Sequence, residues 1–189
     1  MSQLFVSTVE HGQHGRLFAL EREECDLKIE RMAGSNNKSA LFVCLGNICR
    51  SVMAEQIFRE LVEEKGVADQ WNIDSAATST WEIGNSPYEL TNDTLKKHNR
   101  KTSSHIARQI TTQDYNDFHY IFGFDEDNMR QLKRRKPKDS TCELILLGDL
   151  DTDKSTNIII DPYPGPVKAF ETAYGQCDRA CKVFLSQAQ

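Results

Sequence analysis

From residue 40 onward, short apolar runs of strand length alternate with longer stretches of helical spacing, and this alternation limits the fold more than any other feature. "ALFVCL" (40–45) is a continuous apolar run, the pattern of a strand buried on both faces. Residues 51–65 then set Met53, Ala54, Ile57, Phe58, Leu61 and Val62 at helical intervals, with Gly66 as the stop. Further strands are predicted at 71–77, 119–125 and 142–148. "SPYELTNDTLKKHN" carries a helix-start signature, with Ser86 as cap, Pro87 at the first helical position and Glu89 three residues after the cap. "EDNMRQLKRRK" is acidic at its start and basic at its end, which suits a helix dipole. The tail 166–187 lines up Phe170, Ala173, Tyr174, Cys177, Cys181, Phe184 and Leu185 on one helical stripe.

Strands separated by helices imply a parallel sheet. The expected architecture is α/β, a single domain over 39–189 with a four-stranded parallel sheet flanked by helices on both faces. Residues 1–38 are read as an N-terminal extension, poorly ordered or loosely helical, because "GSNNKS" is linker-like and the stretch before it is mixed in charge. A chain of 189 residues suits one such domain with a real core. A net charge of −5 argues against a nucleic-acid partner, whose footprint on a protein is basic. No run approaches the roughly 18 apolar residues of a membrane span, and the N-terminus lacks the basic-then-apolar order of a signal peptide. The six cysteines are therefore read as reduced thiols and the chain as cytoplasmic.

Parallel sheets bind ligands at the carboxyl ends of their strands, and there this chain places "CLGNICRS". In such a loop successive backbone N–H groups curl around one centre, at which the following helix also points. Gly46 permits a backbone shape that a side chain would obstruct. Arg50 adds a planar clamp suited to phosphate oxygens. The N–H groups, the helix dipole and the guanidinium all favour thiolate at Cys44, and Ser51 can hydrogen-bond the sulfur. A buried structural cysteine beside a surface arginine is the plainer reading of those residues alone. A nucleotide-binding loop is excluded, because the Gly-Lys-Ser/Thr ending is missing.

"VCLGNICRS", "DSAATSTWEIG", "HIARQIT" and "DPYPG", in that order, resemble the low-molecular-weight protein tyrosine phosphatases from about residue 40 to the C-terminus. The resemblance implies the flavodoxin-like fold of that phosphatase type and hydrolysis of phosphotyrosine through a phosphocysteine, without metal or other cofactor. It implies Cys44 as nucleophile, the backbone of Leu45, Gly46, Asn47, Ile48, Cys49 and Arg50 as phosphate cradle, and Asp161 as general acid and then base. Asn47, Ser51, Ser75 and His105 would hold the loop from beneath. Trp81 and Tyr163 would wall the substrate cleft, with Glu82 on its variable rim, and Cys49 would be the reversible disulfide partner of Cys44. The implied partners are phosphotyrosine-containing proteins, with the chain a monomer or weak dimer. Two departures stand out: Val52 follows the Arg-Ser pair where many members have proline, and Pro164 follows Tyr163 where many have a second tyrosine.

Two rival functions share these features. An arsenate reductase of the same fold needs further cysteines after the third strand, and "EDNMRQLKRRKPKDST" has none. A non-catalytic phosphotyrosine-binding module would be expected to lack Cys44 or Asp161. The pair Cys177 and Cys181, at i, i+4 in an apolar stripe, is read as core. The basic run 130–138 is read as a solvated helix end, with steering of acidic substrates as its other reading.

Overall fold

In β1 (Lys38–Cys44), alternate residues enter two different cores. Ala40, Phe42 and Cys44 join one apolar cluster, while Leu41 and Val43 join another. A strand with apolar side chains on both faces needs cover on both sides, and the rest of the chain supplies it. The protein is described from a computed structural model, in which residues 37–188 are placed; the expectation for residues 1–36 of the N-terminal extension lies outside the described residues. The chain divides into Met1–Asn36 and Asn37–Gln189, and the architecture below belongs to the second unit.

The strands β1, β2 (Trp71–Ala77), β3 (Tyr120–Gly123) and β4 (Glu143–Leu146) form one parallel sheet in the order β2-β1-β3-β4. The helices are α1 (Arg50–Glu64), α2 (Glu89–Lys97), the single turn α3 (Asp114–Asp117), α4 (Glu126–Arg135) and α5 (Val167–Gln187). On one face, residues of α1, α2 and α5 pack with Phe42 and Phe122; on the other, Tyr115, Met129 and Leu132 pack with Leu41, Val43 and Ile121. The expected four-stranded sheet, covered on both faces, is therefore the fold.

The predicted stripe of α5 is buried at all seven positions. Its Phe184 ring lies 4.7 Å from Phe122, 5.4 Å from Phe58 and 5.1 Å from Tyr120, centroid to centroid. Truncating a side chain at the centre of such a cluster, Phe122→Ala for instance, costs about 3–5 kcal/mol. The stop at Gly66 is also as read. Gly66 has φ +70°, its N–H bonds to Glu63 O, and the Val67 N–H reaches back to Val62 O, the two bonds of a Schellman end.

Three of the boundaries that differ from the sequence reading have a visible cause. The helix expected to be capped by Ser86 starts at Glu89, with Tyr88 as its capping residue. The Tyr88 N–H is committed to Ile48 O at 2.9 Å, and the Tyr88 ring packs on Phe170 and Tyr163. These tertiary contacts outcompete the local capping signal. The third strand ends at Gly123, because the Phe124 N–H turns to Asn128 Oδ1 and Asp125 caps α4 by accepting from Asn128 N at 2.7 Å. The fourth strand ends at Leu146, and Leu147–Leu150 is a 3-10 turn.

Candidate active site

In the order β2-β1-β3-β4, the chain leaves β1 toward one side of the sheet and β3 toward the other, which opens a crevice between their carboxyl ends. Cys44 ends β1 and Asp125 follows β3, so the loop 44–50 and the start of α4 face each other across it.

The loop is turned inside out by bonds from its surroundings. Cys44 O accepts from Thr78 N at 2.8 Å, Leu45 O from Ser79 N at 3.0 Å, and Ile48 O from Tyr88 N at 2.9 Å and Thr91 Oγ1 at 3.0 Å. With these carbonyls engaged by neighbouring segments, the Asn47 N–H points at Cys44 Sγ from 3.3 Å. The Cys44 thiol sits 3.1 Å from Ser51 Oγ, to which it donates; an ionised sulfur accepts from that same hydroxyl. The expected role of Gly46 is corrected in part. The left-handed residue of the loop is Asn47, with φ +60°, while a side chain at Gly46 would meet Glu82 Cγ at 3.0 Å.

Asn47 tolerates that conformation because its side chain is held on every polar atom. Its Nδ2 donates to Ser51 Oγ at 2.9 Å and to Ser75 Oγ at 2.8 Å. Its Oδ1 accepts from His105 Nε2 at 2.8 Å and from the Arg108 N–H at 3.0 Å. Ser75 Oγ in turn donates to Glu55 Oε2 at 2.6 Å. The expected support residues Asn47, Ser51, Ser75 and His105 thus meet in one hydrogen-bonded network, with the first three buried. Two further members were not legible from motif spacing: Glu55 on α1, and Arg108, which grips Asp114 with both terminal nitrogens at 3.0 Å. Glu55, Asp74 and His105 bring three ligand-type atoms within 4.8 Å of one another. Their carboxylates are already engaged by Ser75, Arg59 and Arg108, so the cluster serves the loop.

Arg50 is 1% exposed and crosses the crevice. Its Nη1 donates to Asp125 Oδ2 at 2.6 Å and to Ile159 O at 3.0 Å, and its Nη2 donates to Asp161 Oδ2 at 2.8 Å. Burial works against its charge, but Cys44, Asp161 and Asp125 outweigh that and hold the guanidinium above its usual range. Arg50 Nε is buried with no hydrogen-bond partner among the described residues, a donor that suits an oxyanion held at the loop. Asp125 is a further site residue the sequence reading missed. It looked like a strand residue beside a helix start, and it is a helix cap that also fixes the arginine.

Asp161 reaches the site from the proline-rich segment, where its Oδ1 also accepts the Tyr163 N–H at 3.2 Å. Trp81 and Tyr163 are 77% and 48% exposed, and Trp81 lines a groove together with Leu45. The Tyr163 ring stands edge-on to Tyr88 at 5.0 Å. Cys49 is buried at the start of α1, and burial pushes its thiol up to about 12 despite a hydrogen bond with Thr91. Cys49 therefore stays protonated at neutral pH.

Fold and site together define a class: a parallel α/β domain with a thiol in the loop that follows its first strand, a buried arginine beside it and an aspartate from a proline-rich segment bonded to that arginine. Comparison with known proteins narrows this. The profile of the family described as "Low molecular weight phosphotyrosine protein phosphatase" matches residues 39–189. A curated relative of that name from Gallus gallus is 52% identical over 158 residues, covering 82% of this chain and 99% of its own. The crystal structure of Primo-1 superposes with a TM-score of 0.75 at 46% identity, covering 79% of this chain and 97% of that one. The structure described as "DARP, drosophila arginine phosphatase" superposes at 0.74 with 38% identity, covering 79% and 97%. The chain belongs to the low molecular weight phosphotyrosine protein phosphatase family.

Proposed function

We propose that the protein is a cysteine-dependent phosphatase that hydrolyses phosphotyrosine in proteins and small aryl phosphates. The observation that carries this is the convergence on one buried loop of the Cys44 sulfur, the Asn47 N–H, the Arg50 guanidinium and, through Arg50, the Asp161 carboxyl. The Cys44 thiolate attacks phosphorus, the bond from phosphorus to the phenolic oxygen breaks, and Asp161 gives its proton to the departing phenolate. Loop N–H groups and Arg50 stabilise the charge on the equatorial oxygens. Water then attacks the phosphocysteine, yields its proton to Asp161 and releases the thiolate. No step calls for a cofactor.

Depth favours an aryl phosphate. Cys44 is 3% exposed while Trp81 and Tyr163 stand exposed, so a substrate needs the length of a phenyl ring to bring phosphorus to sulfur. Glu82, against Gly46 on the rim, would tune which substrates are preferred. The matching family and the Gallus gallus relative both carry phosphatase names, which supports hydrolysis over arsenate reduction or simple binding. Oxidised Cys44, as sulfenic acid, would condense with the Cys49 thiol with loss of water and be recovered by reduction. On this reading the protein works in the cytoplasm as a monomer or weak dimer. No helix among the described residues is long and apolar enough to cross a membrane.

The test is phosphate release from matched phosphotyrosine, phosphoserine and phosphoarginine peptides in the presence of a chelator. Phosphoarginine belongs in it because one structural neighbour is named an arginine phosphatase. Turnover of phosphotyrosine well above the other two is expected. Equal or better turnover of phosphoarginine would move the substrate assignment, and binding of phosphotyrosine peptide without turnover would replace the enzyme by a binding module.

A further inference from the structure

The basic run after the third strand is part of the molecule that the chemistry at Cys44 does not use. Its residues 130–135 form the second half of α4. Asn128, Met129 and Leu132 of this helix are buried, so Asp127, Arg130, Gln131 and Arg134, at i, i+3, i+4 and i+7, share another side. That side lines a groove of about 420 Å³, whose opposite wall is Thr78, Ser79 and Trp81 and into which Leu45 of the phosphate loop also faces. The volume lies within the ~300–1,000 Å³ usual for ligand sites.

Both walls are fastened to the catalytic loop. Thr78 and Ser79 donate their N–H groups to the Cys44 and Leu45 carbonyls. The helix opposite is capped by Asp125, whose carboxylate holds Arg50 at 2.6 Å. A peptide whose phosphorylated side chain occupies the loop therefore has a path for its flanking residues past Leu45 and Trp81.

The charge in the groove is positive although the chain carries −5 overall. Asp127, its one acidic lining residue, is ion-paired with Arg130. Arg134 donates to the neutral Gln131 at 2.8 Å, and among the described residues neither Arg134 nor Arg135 has a carboxylate partner. Two uncompensated guanidinium groups on a rigid wall suit planar oxyanions.

We infer that this groove is a subsite for acidic side chains flanking the phosphorylated residue, with Arg134 and Arg135 as its anion contacts. The inference rests on the phosphatase reading and adds a sequence preference to it. It is tested with wild-type protein and the double variant Arg134→Glu/Arg135→Glu on three phosphotyrosine peptides, flanked by alanine, glutamate or phosphoserine, and on p-nitrophenyl phosphate, which has no flanks. Wild type is expected to turn over the glutamate peptide with kcat/KM about three- to tenfold above the alanine peptide, as two partly exposed ion pairs allow. The advantage should lie in KM and vanish near about 1 M salt, where charges are screened beyond ~3 Å. In the variant it should be abolished or reversed, with p-nitrophenyl phosphate unaffected. A phosphoserine peptide preferred over the glutamate one assigns the subsite to a second phosphate within the same anionic chemistry. Equal kcat/KM for all three peptides in wild type, or a preference that survives in the variant, overturns the subsite while leaving the phosphatase standing. Loss of all turnover in wild type, p-nitrophenyl phosphate included, overturns both.

Discussion

The floor and the rim of the active site are built in opposite ways. Beneath the loop, Asn47, Ser51 and Ser75 are at most 1% exposed and every polar atom of the Asn47 side chain has a partner. At the rim, Trp81, Ile83 and Tyr163 are large apolar groups with half or more of their surface in water, or close to it. The floor is a satisfied polar network whose energy depends on completeness, since a buried donor or acceptor left alone costs about 1–3 kcal/mol. The rim has little to lose on substitution and much to cover when a ligand arrives. On the reading proposed above, geometry for phosphoryl transfer would belong to the floor and choice of substrate to the rim.

The largest expected effect breaks the floor at its centre. Cys44→Ser should lower kcat by about 10⁴-fold or more, as removal of a nucleophile does elsewhere, while the protein still binds phosphotyrosine peptide; steady-state kinetics and isothermal titration check the two halves. Asp161→Asn should cost about 10²- to 10³-fold in kcat toward phosphotyrosine, within the ~10²–10⁴ range of general acid catalysis. The loss should shrink for p-nitrophenyl phosphate, whose leaving group needs a proton less. Asn47→Ala should destabilise the fold by about 1–3 kcal/mol in urea titration and reduce kcat as well. Asn47→Gly sharpens that comparison, because it relieves the positive φ and removes only the hydrogen bonds; it should recover stability in part and activity hardly at all.

At the rim, Trp81→Ala should raise KM severalfold with kcat nearly unchanged, the signature of lost uniform binding. A still quieter effect concerns the second loop cysteine. Burial lifts Cys49 to about 12, so the folded state keeps its proton through a range where the unfolded chain, near the usual ~8.5, releases it. The folded state then binds more protons than the unfolded one, and this group's share of stability is complete below about pH 8.5 and is lost as pH rises toward 12. A Cys49→Ala variant should show a shallower fall of urea midpoint above pH 9.

Much of this was legible in the chain because the information is local. The strand entering "CLGNICRS", the stop at Gly66 and the stripe on α5 each reside in one window of sequence. What escaped is relational. Asp125 reads as an end-of-strand aspartate, and its bond to Arg50 exists only because β1 and β3 are neighbours in the sheet. Glu55 looks like any surface glutamate of an amphipathic helix, yet it is 6% exposed because Ser75 and Arg59 satisfy it. The start of α2 failed for the same reason: Ser86 and Pro87 make a sound local signal, and the tether of Tyr88 to the phosphate loop overrules it.

The central claim is that phosphorus passes through the Cys44 sulfur, and trapping that species tests it most directly. Asp161→Ala protein mixed with a good aryl phosphate and quenched within milliseconds should carry one phosphoryl group, located by peptide mass spectrometry on Cys44 and absent from Cys44→Ser/Asp161→Ala. A phosphoryl group on any other residue, or undiminished turnover by Cys44→Ser, would contradict the account.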